Sequence, residues 1–172
     1  MGPRPFSLLL AFLLVCLPAF LLLGACSARV EAPFDPKAGA FIHERGTAAI
    51  EGEVFLTRDY ARLVRGAGER VYLIPETPYT RERFAALFRG APAARWAPAI
   101  EDTPQAYFDQ RRMTKADSRG QFSFENLAPG RYIVASPVTW TEPYMWIPKG
   151  AAVWDTVTVE PGGRARVILS GK

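Results

Sequence analysis

The sequence predicts an all-β domain: a single seven-stranded antiparallel β-sandwich with one short inserted helix. Three observations support this. Apolar and polar residues alternate with period two through several short runs. The 14 Gly and 15 Pro recur between those runs, where turns are needed. Aromatic and β-branched residues are frequent, which suits pleated surfaces better than a helical bundle.

Each element follows from local chemistry. In residues 47–57, Ala48, Ile50, Gly52, Val54 and Leu56 alternate with Ala49, Glu51, Glu53 and Phe55. The first set therefore faces the core and the Glu pair faces water. Arg65-Gly66-Ala67-Gly68 makes a turn. Val71-Tyr72-Leu73-Ile74 is a short apolar strand closed by Pro75, which has no N–H for a ladder. The helix is predicted over residues 80–90. Thr80 is its N-cap, Phe84, Leu87 and Phe88 share one face, and Gly90 closes it. Residues 91–103, rich in Pro and Ala, read as a loop. Residues 106–117 lead into a hairpin whose turn is Asp117-Ser118-Arg119-Gly120. Phe122 and Phe124 then alternate with polar residues, and residues 126–130 turn the chain again. Strands at 132–140, 153–159 and 165–169 complete the sheets, the last two joined by Pro161-Gly162-Gly163.

Residues 1–25 have the three parts of a signal peptide: Arg4 at the start, an uncharged run from Phe6 to Leu23, and small residues before Cys26. The run is also about long enough to span a membrane uncleaved. Leu23-Gly24-Ala25-Cys26 resembles the lipobox of bacterial lipoproteins. That resemblance implies that Cys26 becomes the first mature residue and is lipidated, holding the protein on a membrane. Ser27 in place of Asp implies the outer membrane, on its periplasmic face, of a Gram-negative host. The expected organisation is a signal peptide over 1–25, a lipidated Cys and tether over 26–46, and the sandwich over 47–172. Within the tether, Phe34, Phe41 and Ile42 are the residues expected to pack on the domain.

Composition narrows the function. Cleavage removes Arg4 from the 21 basic residues and none of the 17 acidic ones, leaving a net charge of +3. No basic run forms a nucleic-acid stripe, and Arg111-Arg112 alone is not one. The chain has two Cys, and with Cys16 removed and Cys26 lipidated no disulfide is left. Stability must come from packing. His43 is the only histidine and no Gly-x-Ser-x-Gly is present, so no nucleophile–base pair is evident. Zinc lacks its ligands. Asp117 with Ser118 offers calcium only a fragment, and Asp in such a turn caps its own backbone. Glu51 and Glu53 read as an exposed face rather than an acid–base pair. No catalytic residue, metal or cofactor is expected.

The stretch from Ala116 to Tyr132 resembles the carboxypeptidase regulatory-like, or transthyretin-like, domains. It matches their pattern at Asp117, Gly120, Phe122, Phe124, Leu127, Pro129, Gly130 and Tyr132. Residues 50–54 and 157–163 fit as well, so the resemblance spans roughly residues 47–170. It implies a prealbumin-like sandwich and a mostly non-enzymatic module; the helix departs from the minimal pattern and reads as an insertion.

The remaining signal is aromatic. Trp140, Tyr144, Trp146 and Trp154 cluster between prolines, and Tyr79 and Trp96 can join them. Exposed Trp and Tyr give large contact area at small entropy cost and stack on sugars. The candidate binding patch is therefore Trp140, Tyr144, Trp146, Tyr79 and Trp96. The same rings would serve as core, with Trp140 and Trp154 filling the sandwich. The first expectation is a non-catalytic, membrane-anchored module that binds a protein partner or scaffolds an envelope complex. The alternatives are a carbohydrate-binding module using exposed aromatics and an unrecognised hydrolase.

Overall fold

The alternation at 47–57 produces the longest strand of the fold. The computed structural model describes residues 27–58 and 62–171. Leu23, Gly24, Ala25 and Cys26 lie outside the described residues, as does the rest of the expected signal peptide. Among the described residues, no helix is long and apolar enough to cross a membrane.

In chain order the elements are Ser27–Ala28 (β1), a 3-10 turn at Ala40–His43, Arg45–Arg58 (β2), Arg62–Arg65 (β3) and Arg70–Pro75 (β4). Then come Pro78–Phe88 (α1), Ala93–Ala94 (β5), Ala99–Ile100 (β6), Gln105–Asp109 (α2) and Arg112–Lys115 (β7). Gln121–Leu127 (β8), Gly130–Trp140 (β9), Lys149–Val159 (β10) and Arg164–Leu169 (β11) complete the chain. One sheet has the order β5-β10-β9-β4-β7, with every pair antiparallel. In the other, β2 carries β11 on one edge and β8 and then β3 along the other.

The sandwich is mostly β, as expected, with corrections. Among the described residues, eleven strand segments stand where seven were predicted, three of them only two residues long. The sheets are not wholly antiparallel, because β11 runs parallel to β2, from Arg164 opposite Ala49 to Leu169 opposite Val54. The cause is the turn at 160–163, which passes the chain from one sheet to the other rather than reversing it within a sheet. Among the described residues there are two short α-helices, not one, and the first starts earlier than predicted. Thr77 is its N-cap and Pro78 its first residue. The Thr80 N–H donates to Thr77 Oγ1 at 3.2 Å, and the Thr77 N–H donates back to Thr80 Oγ1 at 2.8 Å. Thr80 thus completes a reciprocal cap that Thr77 begins.

Between the sheets, Ile50, Val54, Leu73, Phe122, Tyr132 and Val134 belong to one buried cluster. A Cβ on Gly52 would strike the Phe122 ring, so the missing side chain makes room for that Phe. A second cluster lies on the outer face of the five-stranded sheet. There Ile74 and Ile133 meet Tyr79, Phe84, Phe88 and Tyr107. The stretch expected to be a tether is docked on this layer. Phe34 packs edge-on to Tyr79 at 5.2 Å, and the N–H groups of Glu31 and Ala32 donate to the Glu82 carboxylate at 2.6 and 2.8 Å. Phe41 lies edge-on to Tyr132 at 5.2 Å, and Ile42 is buried. Among the described residues, every buried apolar side chain lies between Ile42 and Leu169.

Candidate functional site

One end of the sandwich collects most of the predicted aromatics, and strand direction explains why. β9 ends at Trp140 and β10 starts at Lys149, so residues 141–148 form the loop joining them. β5 runs antiparallel to β10, with Ala94 opposite Ala152, and delivers Arg95 and Trp96 towards the same end. β2 reaches it at Arg58, opposite Arg62 of β3.

Trp140 forms the floor. It shares the inward parity of Tyr132, Val134 and Val138 and is only 9% exposed. The Arg58 guanidinium lies 4.6 Å from its ring centroid, and that of Arg95 lies 5.9 Å away. The indole N–H donates to Glu142 Oε1 at 3.2 Å, Arg58 pairs with the same carboxylate, and Lys149 Nζ stands 3.9 Å from it. Burial pushes the Glu142 carboxyl up. Hydrogen bonds from Trp140 and Arg58, with the charges of Arg58 and Lys149, outweigh that and hold its pKa below the ordinary carboxylate value.

On the segments that leave β5 and β9 at this end, the rings are bare. Trp96 is 92% exposed, Tyr144 102% and Trp146 98%, with Met145 and Ile147 also exposed. Tyr144 has φ +68, a left-handed conformation that costs a non-glycine residue about 1–2 kcal/mol. It is held by a turn in which the Met145 N–H donates to the Glu142 carbonyl at 3.1 Å. Solvated, unpacked rings next to a buried, ion-paired Trp140 form a surface suited to stacking on a ligand.

Two residues of the predicted patch lie elsewhere in role or place. Trp140 is beneath the surface, not on it. Tyr79 is 5% exposed, packed between Phe34 and Tyr107, and belongs to the helical layer. It follows the first residue of α1 and turns onto the sheet. Trp154 also joins that layer, tilted against Phe84 at 5.1 Å and Phe88 at 5.5 Å, with its indole N–H donating to the Ala91 carbonyl at 2.9 Å. Arg58, Arg95 and Glu142, the supports of the floor, were not anticipated. They meet only through pairing of distant strands.

The carboxylates are arranged differently. Glu51 pairs with Arg164 at 2.5 Å. Glu51, Glu53, Asp117 and Arg166 line a groove of about 520 Å³ on the other sheet. Asp117 Oδ1 accepts the N–H groups of Arg119 and Gln121, each at 2.8 Å, so it caps its own turn as expected. His43 lies in a separate depression with Arg45, Arg112 and Asn126. Among the described residues, no group of three or more His, Cys, Asp and Glu is placed to hold a metal ion.

No family model matches the chain, and no curated protein matches it. Among solved structures, it is similar to the crystal structure of a candidate carbohydrate-binding protein of Pseudomonas aeruginosa. The TM-score is 0.67 at 24% sequence identity, covering 81% of this chain and 98% of that one. Likeness at that identity shows a shared fold alone.

Proposed function

We propose that this chain is an exported, lipid-anchored, non-catalytic carbohydrate-binding protein whose ligand stacks on Trp96, Tyr144 and Trp146. The observation that carries this is the near-complete exposure of all three rings on segments leaving one end of the sandwich. Sugars offer flat C–H faces that such rings cover without a deep pocket. The structural likeness to a candidate carbohydrate-binding protein supports the same reading. The sandwich is assigned to the transthyretin-like group on the match from Asp117 to Tyr132. Lipidation at Cys26 and an outer-membrane location rest on the lipobox resemblance.

Calorimetric titration with soluble oligosaccharides tests this. Trp146→Ala is expected to weaken binding about tenfold, equivalent to about 1.4 kcal/mol, without altering stability. Wild type that binds no saccharide, or a variant that binds equally well, defeats it. The exposure of Met145 and Ile147 among the rings favours a second reading, a protein interface at the same end. Crosslinking in native envelopes would then capture a discrete protein that is lost with Tyr144→Ala and Trp146→Ala.

A further inference from the structure

The first described residues lie within short chain reach of Trp96. Ser27 pairs with Ala99, and Ala28 with Ile100, in a short parallel ladder, and Ser27 Oγ bonds the Glu101 carboxylate. Trp96 precedes Ala99 by three residues, so their Cα atoms lie within roughly 11 Å of each other. Adding the spacing of paired strands puts Ser27 within roughly 16 Å of Trp96. Cys26 is the next residue back.

Two further features fit a membrane surface. Met145 and Ile147 stand exposed among the rings. Stacking on a soluble sugar does not need them, whereas segments lying at a headgroup–acyl boundary combine Trp with aliphatic side chains. Trp and Tyr themselves settle at headgroup level. The end also presents exposed cations, alongside the acids Glu142 and Glu101. Arg62 and Arg95 are exposed and make no ion pair among the described residues, and Lys149 shares Glu142 with Arg58. Exposed cations at this height are placed to meet headgroup phosphates.

We infer that the aromatic end faces the bilayer that holds the lipid anchor, and that its ligand is the sugar of a phosphorylated glycolipid in the same leaflet as the anchor, which requires the outer face of the membrane in place of the periplasmic face expected from Ser27. The inference rests on the carbohydrate reading and on lipidation of Cys26. Short-range tethering then supplies a high effective concentration of ligand, so weak stacking suffices. The rings take the sugar, Met145 and Ile147 enter the interface, and Arg62, Arg95 and Lys149 meet phosphate.

The test uses the chain from Ser27 onward, which contains every buried apolar side chain among the described residues and lacks the anchor. Vesicle flotation compares phosphatidylcholine, phosphatidylglycerol, and phosphatidylcholine carrying rough lipopolysaccharide, with the free core oligosaccharide titrated in parallel. Binding to the glycolipid vesicles is expected to be about tenfold tighter than to either plain vesicle or to the free oligosaccharide. Met145→Ser with Ile147→Ser removes that advantage and leaves affinity for the free oligosaccharide unchanged. If the free oligosaccharide binds as tightly as the vesicle-borne one, sugar binding stands and the membrane-facing orientation falls. If phosphatidylglycerol vesicles bind as tightly as the glycolipid vesicles, the end reads charge alone and the inference is overturned. If neither form of the glycan binds, the carbohydrate reading falls with it.

Discussion

Replacing Tyr132 with Phe tests how the fold holds its central hairpin. Tyr132 is fully buried, lies edge-on to Phe41, and donates its hydroxyl to the Ala128 carbonyl at 2.7 Å across the Pro129-Gly130 turn. Burial pushes the phenol from 10.0 up to about 12; the Arg112 charge opposes this and Glu44 adds to it. The native state therefore favours the protonated phenol. Its contribution is complete below pH 10, where the unfolded chain is protonated too. It is lost as pH rises from about 10 to about 12, amounting to roughly 2–3 kcal/mol. At pH 8, Tyr132→Phe removes one buried hydrogen bond and leaves a carbonyl unsatisfied, costing about 1–2 kcal/mol. It also removes the ionisable group, so its stability lacks this alkaline decline. Urea denaturation across pH 8–12 should show the wild-type and variant curves converging and then crossing. Curves that stay parallel to pH 12 would refute the reasoning, since Tyr132 would then titrate alike in both states.

Three other substitutions probe separate elements. Gly120 has φ +83, and a Cβ there would stand 2.5 Å from the Val54 carbonyl oxygen, so Gly120→Ala should cost about 2–3 kcal/mol by denaturant titration. Thr77→Ala removes half of the reciprocal cap of α1 and should cost about 1 kcal/mol, measured the same way. Arg58→Ala uncovers the Trp140 ring and takes the nearest cation from Glu142, so tryptophan emission should shift to the red and Tm should fall.

The parts of the fold that were legible are those written in local chemistry. The turn at Asp117–Gly120, the inward Phe122 and Phe124, and the alternation around Ile50 and Val54 each follow from residues a few positions apart. The parallel pairing of β11 with β2 does not, because alternation sets which face is buried and says nothing of strand direction. The true cap of α1 was present as Thr77-Pro78, a first-turn proline that outranks Thr80. α2, five residues long, is too short to show a helical period. The packing of Phe34, Phe41 and Ile42 was expected from their apolar character, but their partners Tyr79 and Tyr132 were not.

For the aromatic cluster, composition alone left core and surface open. Parity along β9 would have assigned Trp140 inward with Val134 and Val138. Nothing local could place Trp96 at the same end as Tyr144 and Trp146, since β5 brings it there through a ladder of two residue pairs.

The central claim is that sugar meets the exposed rings and not the buried ones. The chain has four Trp, and their indole N–H signals report each site separately by NMR. Those of Trp140 and Trp154 are tied to Glu142 and to the Ala91 carbonyl. Those of Trp96 and Trp146 sit on nearly bare rings. Titration with a binding oligosaccharide should shift the Trp96 and Trp146 signals and leave Trp154 in place. Shifts confined to Trp154, or no indole shift at saturating ligand, would contradict the account.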